Sequence, residues 1–173
     1  MAAYLSSALA PSRYGPYTVT QDTLARRGGA TPQPGQREIA LSAPTWHWYL
    51  LVALGSGVGG AGRLFVSTLA GRYAGFGFPW GTLLVNVLGC TAVGALGALF
   101  APSGPLQLRH DLRMVLIVGV LGGFTTFSAF SLEALQLMQR GATGAAAGYV
   151  TASVVLCLLA AATAYWIVSS LLR

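Results

Sequence analysis

A chain of 173 residues in which 54% are hydrophobic and only 8% charged carries far too little charge for an ordinary soluble domain. Its net charge of +6 comes from arginines alone, and these lie at segment ends or in an N-terminal tail rather than in one patch, which excludes a nucleic-acid-binding face. The charges bracket four uncharged stretches, Glu38 to Arg63, Arg72 to Arg109, Arg113 to Glu133 and Arg140 to Arg173, each close to or beyond the roughly 20 residues that a spanning helix needs; the expected fold is an all-α integral membrane protein of four transmembrane helices.

Residues 1–44 are rich in Pro, Gly, Gln, Ser and Thr with no sustained apolar period. Such composition cannot bury enough surface to offset chain entropy, so a disordered N-terminal tail is expected, followed by a four-span domain over 45–173. The opening MAAYLSSALAPSR lacks the positive n-region of a secretory signal.

The first span is expected to begin near Trp46, His47, Trp48 and Tyr49, aromatics suited to the headgroup boundary, and to end at Arg63. Gly55, Gly57 and Gly60 spell G-x-G-x-x-G. A dinucleotide site with that motif needs a preceding strand and an acid about 20 residues on, and no acid stands between Glu38 and Asp111; the glycines read instead as close helix packing. Arg63 either snorkels to the interface or sets a fixed positive charge at a pore mouth.

A GFGFPW turn leads to a second span over about 80–100. Asn86 is its one side chain with strong paired donors and acceptor. In hydrocarbon such an amide either fastens helices or lines a wet path. The connector PSGPLQLRHDLR then places Arg109, His110, Asp111 and Arg113 at the surface.

The third span, about 114–138, holds the stretch GGFTTFSAFSLE from Gly122 to Glu133. Paired glycines, hydroxyls and two phenylalanines three residues apart predict breakable, polar backbone at membrane depth, with Phe127 and Phe130 on one face of the helix that follows. Unpaired backbone there is tolerated only where protein or a water-filled pathway satisfies it. The stretch is therefore either a site, or a kinked helix whose Ser and Thr bond back to their own carbonyls. Glu133 near the far end reads as a solvated helix-end charge or as a proton carrier.

After an Arg140, Gly141 turn the fourth span covers about 145–171, with Tyr149, Ser153 and Cys157 on one stripe that is a polar track or a packing seam. Cys90 and Cys157 show no metal-ligand spacing and read as packing residues. Arginine placement mildly favours a cytoplasmic N-terminus, weakly enough to allow insertion both ways round.

Three motifs in order, GVGGAGR in the first span, FPWGTLLVNVLG in the second and GVLGGFTTFSAFSLE in the third, resemble the Fluc family of fluoride channels, also called the CrcB family, over about residues 46–172. The resemblance implies a passive fluoride-selective channel of the cell membrane, multi-pass and in the plasma membrane of a bacterium, that exports cytoplasmic fluoride. It further implies an antiparallel, dual-topology dimer with a broken third helix and two pores along the subunit interface, built from two identical chains or from this chain and a paralogue.

Carried over by residue, the resemblance makes Phe127 and Phe130 the aromatic lining of the fluoride path and Asn86 its amide donor. Thr126, Ser128 and Ser131 supply hydroxyls, Tyr149 and Ser153 belong to a polar track, and Arg63 and Glu133 stand at the pore entrance. A structural sodium ion on the dimer axis would be held by the backbone carbonyls of Gly122 and Thr125. Cys157 departs from the pattern, standing where a hydroxyl or small residue is expected. No ATP site or redox centre is visible, so the chain reads as a channel rather than an enzyme. The alternative is a proton-coupled exporter of four-span subunits, centred on Glu133; a packing protein without transport activity ranks below both.

Overall fold

The computed structural model describes residues 46–75 and 77–173; the expected N-terminal tail lies outside the described residues. Within them the chain is helical, with no strands. Helix α1 is Trp46–Ala74 and α2 is Trp80–Leu99. Helix α3 covers residues 110–124, its middle portion Met114–Leu121 wound as a π-helix, and α4 and α5 are Phe127–Gln139 and Thr143–Leu171. Counting α3 with α4, four segments are long and apolar enough to cross a membrane.

Arg63 does not end the first span. Helix α1 continues through Leu64, Phe65 and Leu69 to Ala74, because arginine is a good helix former and the residues beyond it are again apolar. Its 29 residues extend roughly 44 Å at 1.5 Å each, longer than a hydrocarbon core of about 30 Å. The other spans start or stop within a few residues of expectation.

Small residues let these helices approach closely. A Cβ at Gly59 would collide with the Val120 carbonyl of α3, one at Gly123 with the Ser56 carbonyl of α1, and one at Gly94 with the Ala161 carbonyl of α5. Gly55 likewise lies against Gly119, and Ser56 Oγ donates to the Gly119 carbonyl at 3.2 Å. In the G-x-G-x-x-G run, therefore, packing is done by Gly55 and by Gly59 one turn on, whereas Gly57 faces open space. The run sits inside a helix and the described residues before it, 46–54, belong to that same helix, so the nucleotide reading fails on geometry as well.

The α4–α5 turn closes with the Gly141 N–H donating to the Met138 carbonyl at 2.9 Å and the Ala142 N–H to the Leu137 carbonyl at 3.0 Å. This is a Schellman cap, which needs a left-handed residue at the step beyond the helix; Gly141 supplies it with φ 75°. The turn brings α4 back beside α5, and a core of Leu83, Phe130, Ala134, Leu137, Ala146 and Tyr149 forms between α2, α4 and α5. Many large apolar side chains on α1 and α5, including Leu54, Phe65, Leu158 and Trp166, point outward. Such a surface suits lipid and not water.

Gly94→Ala should push α2 off α5 and cost about 1–3 kcal/mol by overpacking, seen as a lower thermal unfolding midpoint in detergent. Gly57→Ala, whose methyl meets nothing within 4 Å, should be neutral or stabilising by up to about 1 kcal/mol.

Candidate functional site

Between α3 and α4 the chain leaves helical geometry for two residues. Thr125 has φ −78° and ψ 156°, and Thr126 has φ −152° and ψ 119°, both extended. In a continuous helix the Thr126 N–H would donate to the Gly122 carbonyl. It donates instead to Asn86 Oδ1 on α2 at 2.9 Å, while Asn86 Nδ2 donates to the Thr126 carbonyl at 3.0 Å. A side-chain amide thus pairs with the N–H and the carbonyl of one residue, which belong to the two peptide groups flanking Thr126, as a neighbouring strand would.

The rest of the step follows from capping. Thr126 Oγ1 accepts from the Ala129 N–H at 3.3 Å and so caps α4; Ser128 Oγ lies 3.3 Å from the same hydroxyl. Thr125 Oγ1 turns back to the Leu121 carbonyl at 3.0 Å, which also accepts the Thr125 N–H at 2.9 Å. Four carbonyls, those of Gly122, Gly123, Phe124 and Thr125, lose their i+4 helical donors as a result. The donor for Gly122 has gone to Asn86, and the donor for Thr125, the Ala129 N–H, has gone to the cap. Carbonyl ends of helices favour cations and N–H ends favour anions, and the C-terminal end of α3 meets the N-terminal end of α4 here.

A groove of about 450 Å³ opens beside this step, and Asn86, Gly122, Thr125, Thr126, Phe127, Phe130 and Ser153 all line it. Phe130 is buried whereas Phe127 is 78% exposed in the single chain, their ring centroids 5.4 Å apart. Ser153 is buried, and its hydroxyl has no hydrogen-bond partner. Asn86 Nδ2 carries two hydrogens, of which Thr126 takes one. The lining thus includes an amide with one hydrogen beyond its bond to Thr126, an unpartnered hydroxyl and two phenylalanine rings among otherwise apolar residues such as Val93, Leu121 and Leu158, with no charged side chain.

Other candidates stand apart from the groove. Tyr149 lies behind Phe130 at 5.2 Å between ring centroids and edge-on to Phe78 at 5.5 Å. Its hydroxyl donates to Glu133 Oε2 at 2.7 Å, and Thr82 Oγ1 donates to Glu133 Oε1 at 2.8 Å. Glu133 is thus no loose helix-end charge: both of its oxygens are tied to neighbouring helices. It lines a separate cavity of about 210 Å³ together with Thr82, Gln136 and Arg140. Ser131 is exposed and returns its hydroxyl to the Phe127 carbonyl at 2.9 Å. Arg63 lines neither cavity; its guanidinium lies 3.9 Å from where a Cβ at Gly60 would stand.

Thr82 was not among the residues expected from sequence, and its signal was available. Thr82, Asn86 and Cys90 stand one turn apart on α2, and Tyr149, Ser153 and Cys157 do the same on α5. The stripes run parallel and in register. Thr82 and Tyr149 share Glu133, Asn86 and Ser153 share the groove, Cys90 and Cys157 line it one turn on, and one turn farther Gly94 packs on Ala161.

Four segments long and apolar enough to span a membrane, with an uncharged and mostly apolar groove between the second, third and fourth of them, define a small multi-pass membrane protein. A family model described as CrcB-like protein, Camphor Resistance (CrcB), matches residues 50–165. The chain belongs to this CrcB-like family. It is 47% identical over 112 residues to the fluoride-specific ion channel FluC of Opitutus terrae, an alignment covering 65% of this chain and 85% of that one. With the fluoride-specific ion channel FluC of Paracoccus denitrificans it shares 51% identity over 114 residues, 66% of this chain and 88% of the other. The counterpart from a Chelativorans species is 46% identical over 123 residues, 71% and 97% of the two chains.

Asn86→Ala should orphan the Thr126 N–H at a cost of about 1–3 kcal/mol. Amide hydrogen exchange in the detergent-solubilised protein should accelerate first at Thr126; unchanged exchange there would show that the clamp does not hold the step. Glu133→Gln and Tyr149→Phe, combined in a double-mutant cycle on thermal stability, should show a coupling of about 0.5–3 kcal/mol.

Proposed function

We propose that this chain is the subunit of a fluoride-selective passive channel in a bacterial plasma membrane, letting cytoplasmic fluoride leave the cell. The function named for its bacterial relatives supports the reading, and the observation that carries it onto these residues is the groove at Asn86 and Thr126. Fluoride is small and strongly hydrated, so a path for it must replace water with close donors. Asn86 has one amide hydrogen left after clamping Thr126, Ser153 has an uncommitted hydroxyl, and Phe127 and Phe130 can offer the positive edges of their rings. An uncharged lining suits flux, because a fixed cation would bind the anion too tightly to release it.

The same step supports a cation nearby. The Gly122 and Thr125 carbonyls, freed of their helical donors, are hard oxygen ligands of the kind sodium takes. These two of the four freed carbonyls would come from one chain, and the same two from a second, antiparallel copy would complete the set. The 78% exposure of Phe127 fits the same assembly, since a pore aromatic left bare in one chain would be covered by the next. A homodimer with a structural sodium ion and a functionally broken third span follows as part of the proposal, and its parts all reside in this one sequence.

A proton-coupled exporter would instead turn on Glu133, which lines its own cavity beside Arg140. Its two hydrogen bonds to Thr82 and Tyr149 fit a fixed structural acceptor better than a carrier that must reorient.

Liposomes reconstituted with this chain alone should release fluoride rapidly, followed with a fluoride electrode, and chloride negligibly. Phe130→Ile and Phe127→Ile should each slow fluoride release by about tenfold or more, a barrier increase of about 1.4 kcal/mol. Uptake driven by an imposed pH gradient and abolished by Glu133→Gln would favour the exporter. Silence from well-inserted protein would exclude the self-sufficient homodimer.

A further inference from the structure

The facing stripes of α2 and α5 carry one pair that the proposed channel does not use. Cys90 lies one turn beyond Asn86 and Cys157 one turn beyond Ser153, so that the two thiols face the same groove between the Asn86 and Ser153 layer and the Gly94 contact with Ala161. Neither is in a disulfide, both are half-buried, and both line the groove. An independent feature of the same groove points to a ligand: the Ser153 hydroxyl, 6% exposed, lines it with no hydrogen-bond partner. Ser153 precedes Cys157 by one turn and so lies on the same face of α5.

We propose that Cys90 and Cys157 form a chelating, two-coordinate site for a thiophilic metal ion, with mercury(II) the ion whose charge suits it. Thiolates select soft metals. Zinc would require four ligands, and among the described residues no group of three His, Cys, Asp or Glu is placed to hold a metal. Mercuric chloride reacting with both thiols breaks two S–H bonds and two Hg–Cl bonds and forms two Hg–S bonds. Two protons and two chlorides leave to the medium, and no electrons are transferred. The product is a neutral bis-thiolate, which an uncharged groove accommodates without the cost of burying a net charge. A monovalent soft cation with two thiolates would be an anion and fit less well. The Ser153 oxygen supplies a weak third contact. If the groove is the fluoride path of the proposed function, the bound metal fills it and stops flux.

The test is titration of the full chain in detergent with mercuric chloride, reading bound mercury and released protons. One mercury per chain with two protons released is expected, and Cys90→Ser or Cys157→Ser should each weaken binding by about 100-fold or more, since one arm of the chelate is gone. Two mercury ions per chain, one proton per mercury in the wild-type protein, or undiminished affinity in either variant would overturn the site. The proton count needs no variant, so a misfolded substitution does not blunt the result. In liposomes, chelated protein should lose fluoride release and regain it with excess small dithiol. Chelation with release unchanged would uphold the metal site and overturn the groove as the path, which separates failure of one reading from failure of the other.

Discussion

Two hydrogen bonds between the Asn86 carboxamide and the backbone N–H and carbonyl of Thr126 are the constraint on which the site depends. Extended backbone inside an apolar helix is costly, because every peptide group that leaves the helical ladder must find another partner away from water. Asn86 meets that requirement with both halves of its amide at once, and the Thr126 hydroxyl caps the helix that follows. The two helix ends so formed have opposite preferences for charge. A single interruption can thereby favour a cation on its carbonyl side and an anion on its N–H side without any ionised side chain.

The clamp works only if α2 stands at a fixed height and distance relative to the third span and α5. Glycine contacts set that distance: Gly94 against Ala161 on the α5 side, and Gly89 against the side chains of Thr125 and Phe124 on the other. Lipid offers no hydrophobic drive for helix association, so close van der Waals contact has to supply it. The Glu133 bonds to Thr82 and Tyr149 fix the same register from the opposite end of the stripe. Three polar layers, Thr82 with Tyr149, Asn86 with Ser153, and Cys90 with Cys157, then stack along one helix pair. They leave the apolar remainder of both helices for lipid or for a second copy.

Glu133 illustrates how burial changes a residue's role. Near the end of a helix, an isolated carboxylate in a sequence reads as a surface charge. Here the turn at Gly141 folds α5 back against α4 and delivers Tyr149 to one of its oxygens, while α2 delivers Thr82 to the other. The acid becomes a joint between three helices. Phe130, its ring tilted by 49° against Tyr149, packs between that joint and the groove that it lines.

The sequence by itself determined the number of spans, because charge spacing against bilayer thickness leaves little choice, and it marked Gly122 to Glu133 as unusual through its hydroxyls, glycines and paired phenylalanines. It also placed Asn86, Phe127, Phe130, Ser153 and the polar face of α5 among the candidates, since four-residue spacing on a helix is a local property. What only the tertiary structure decided is which groups meet. That Asn86 bonds the Thr126 backbone, that Thr82 and Tyr149 share Glu133, and that Ser128, Ser131 and Arg63 stand outside the groove all depend on the relative height and rotation of separate helices. Those quantities are set by glycine contacts far apart in the chain, and no local periodicity encodes them. The continuation of α1 past Arg63 has the same origin in reverse: one long cation does not stop a helix whose next turns are apolar, and its charge is accommodated by the surroundings rather than by the chain ending there.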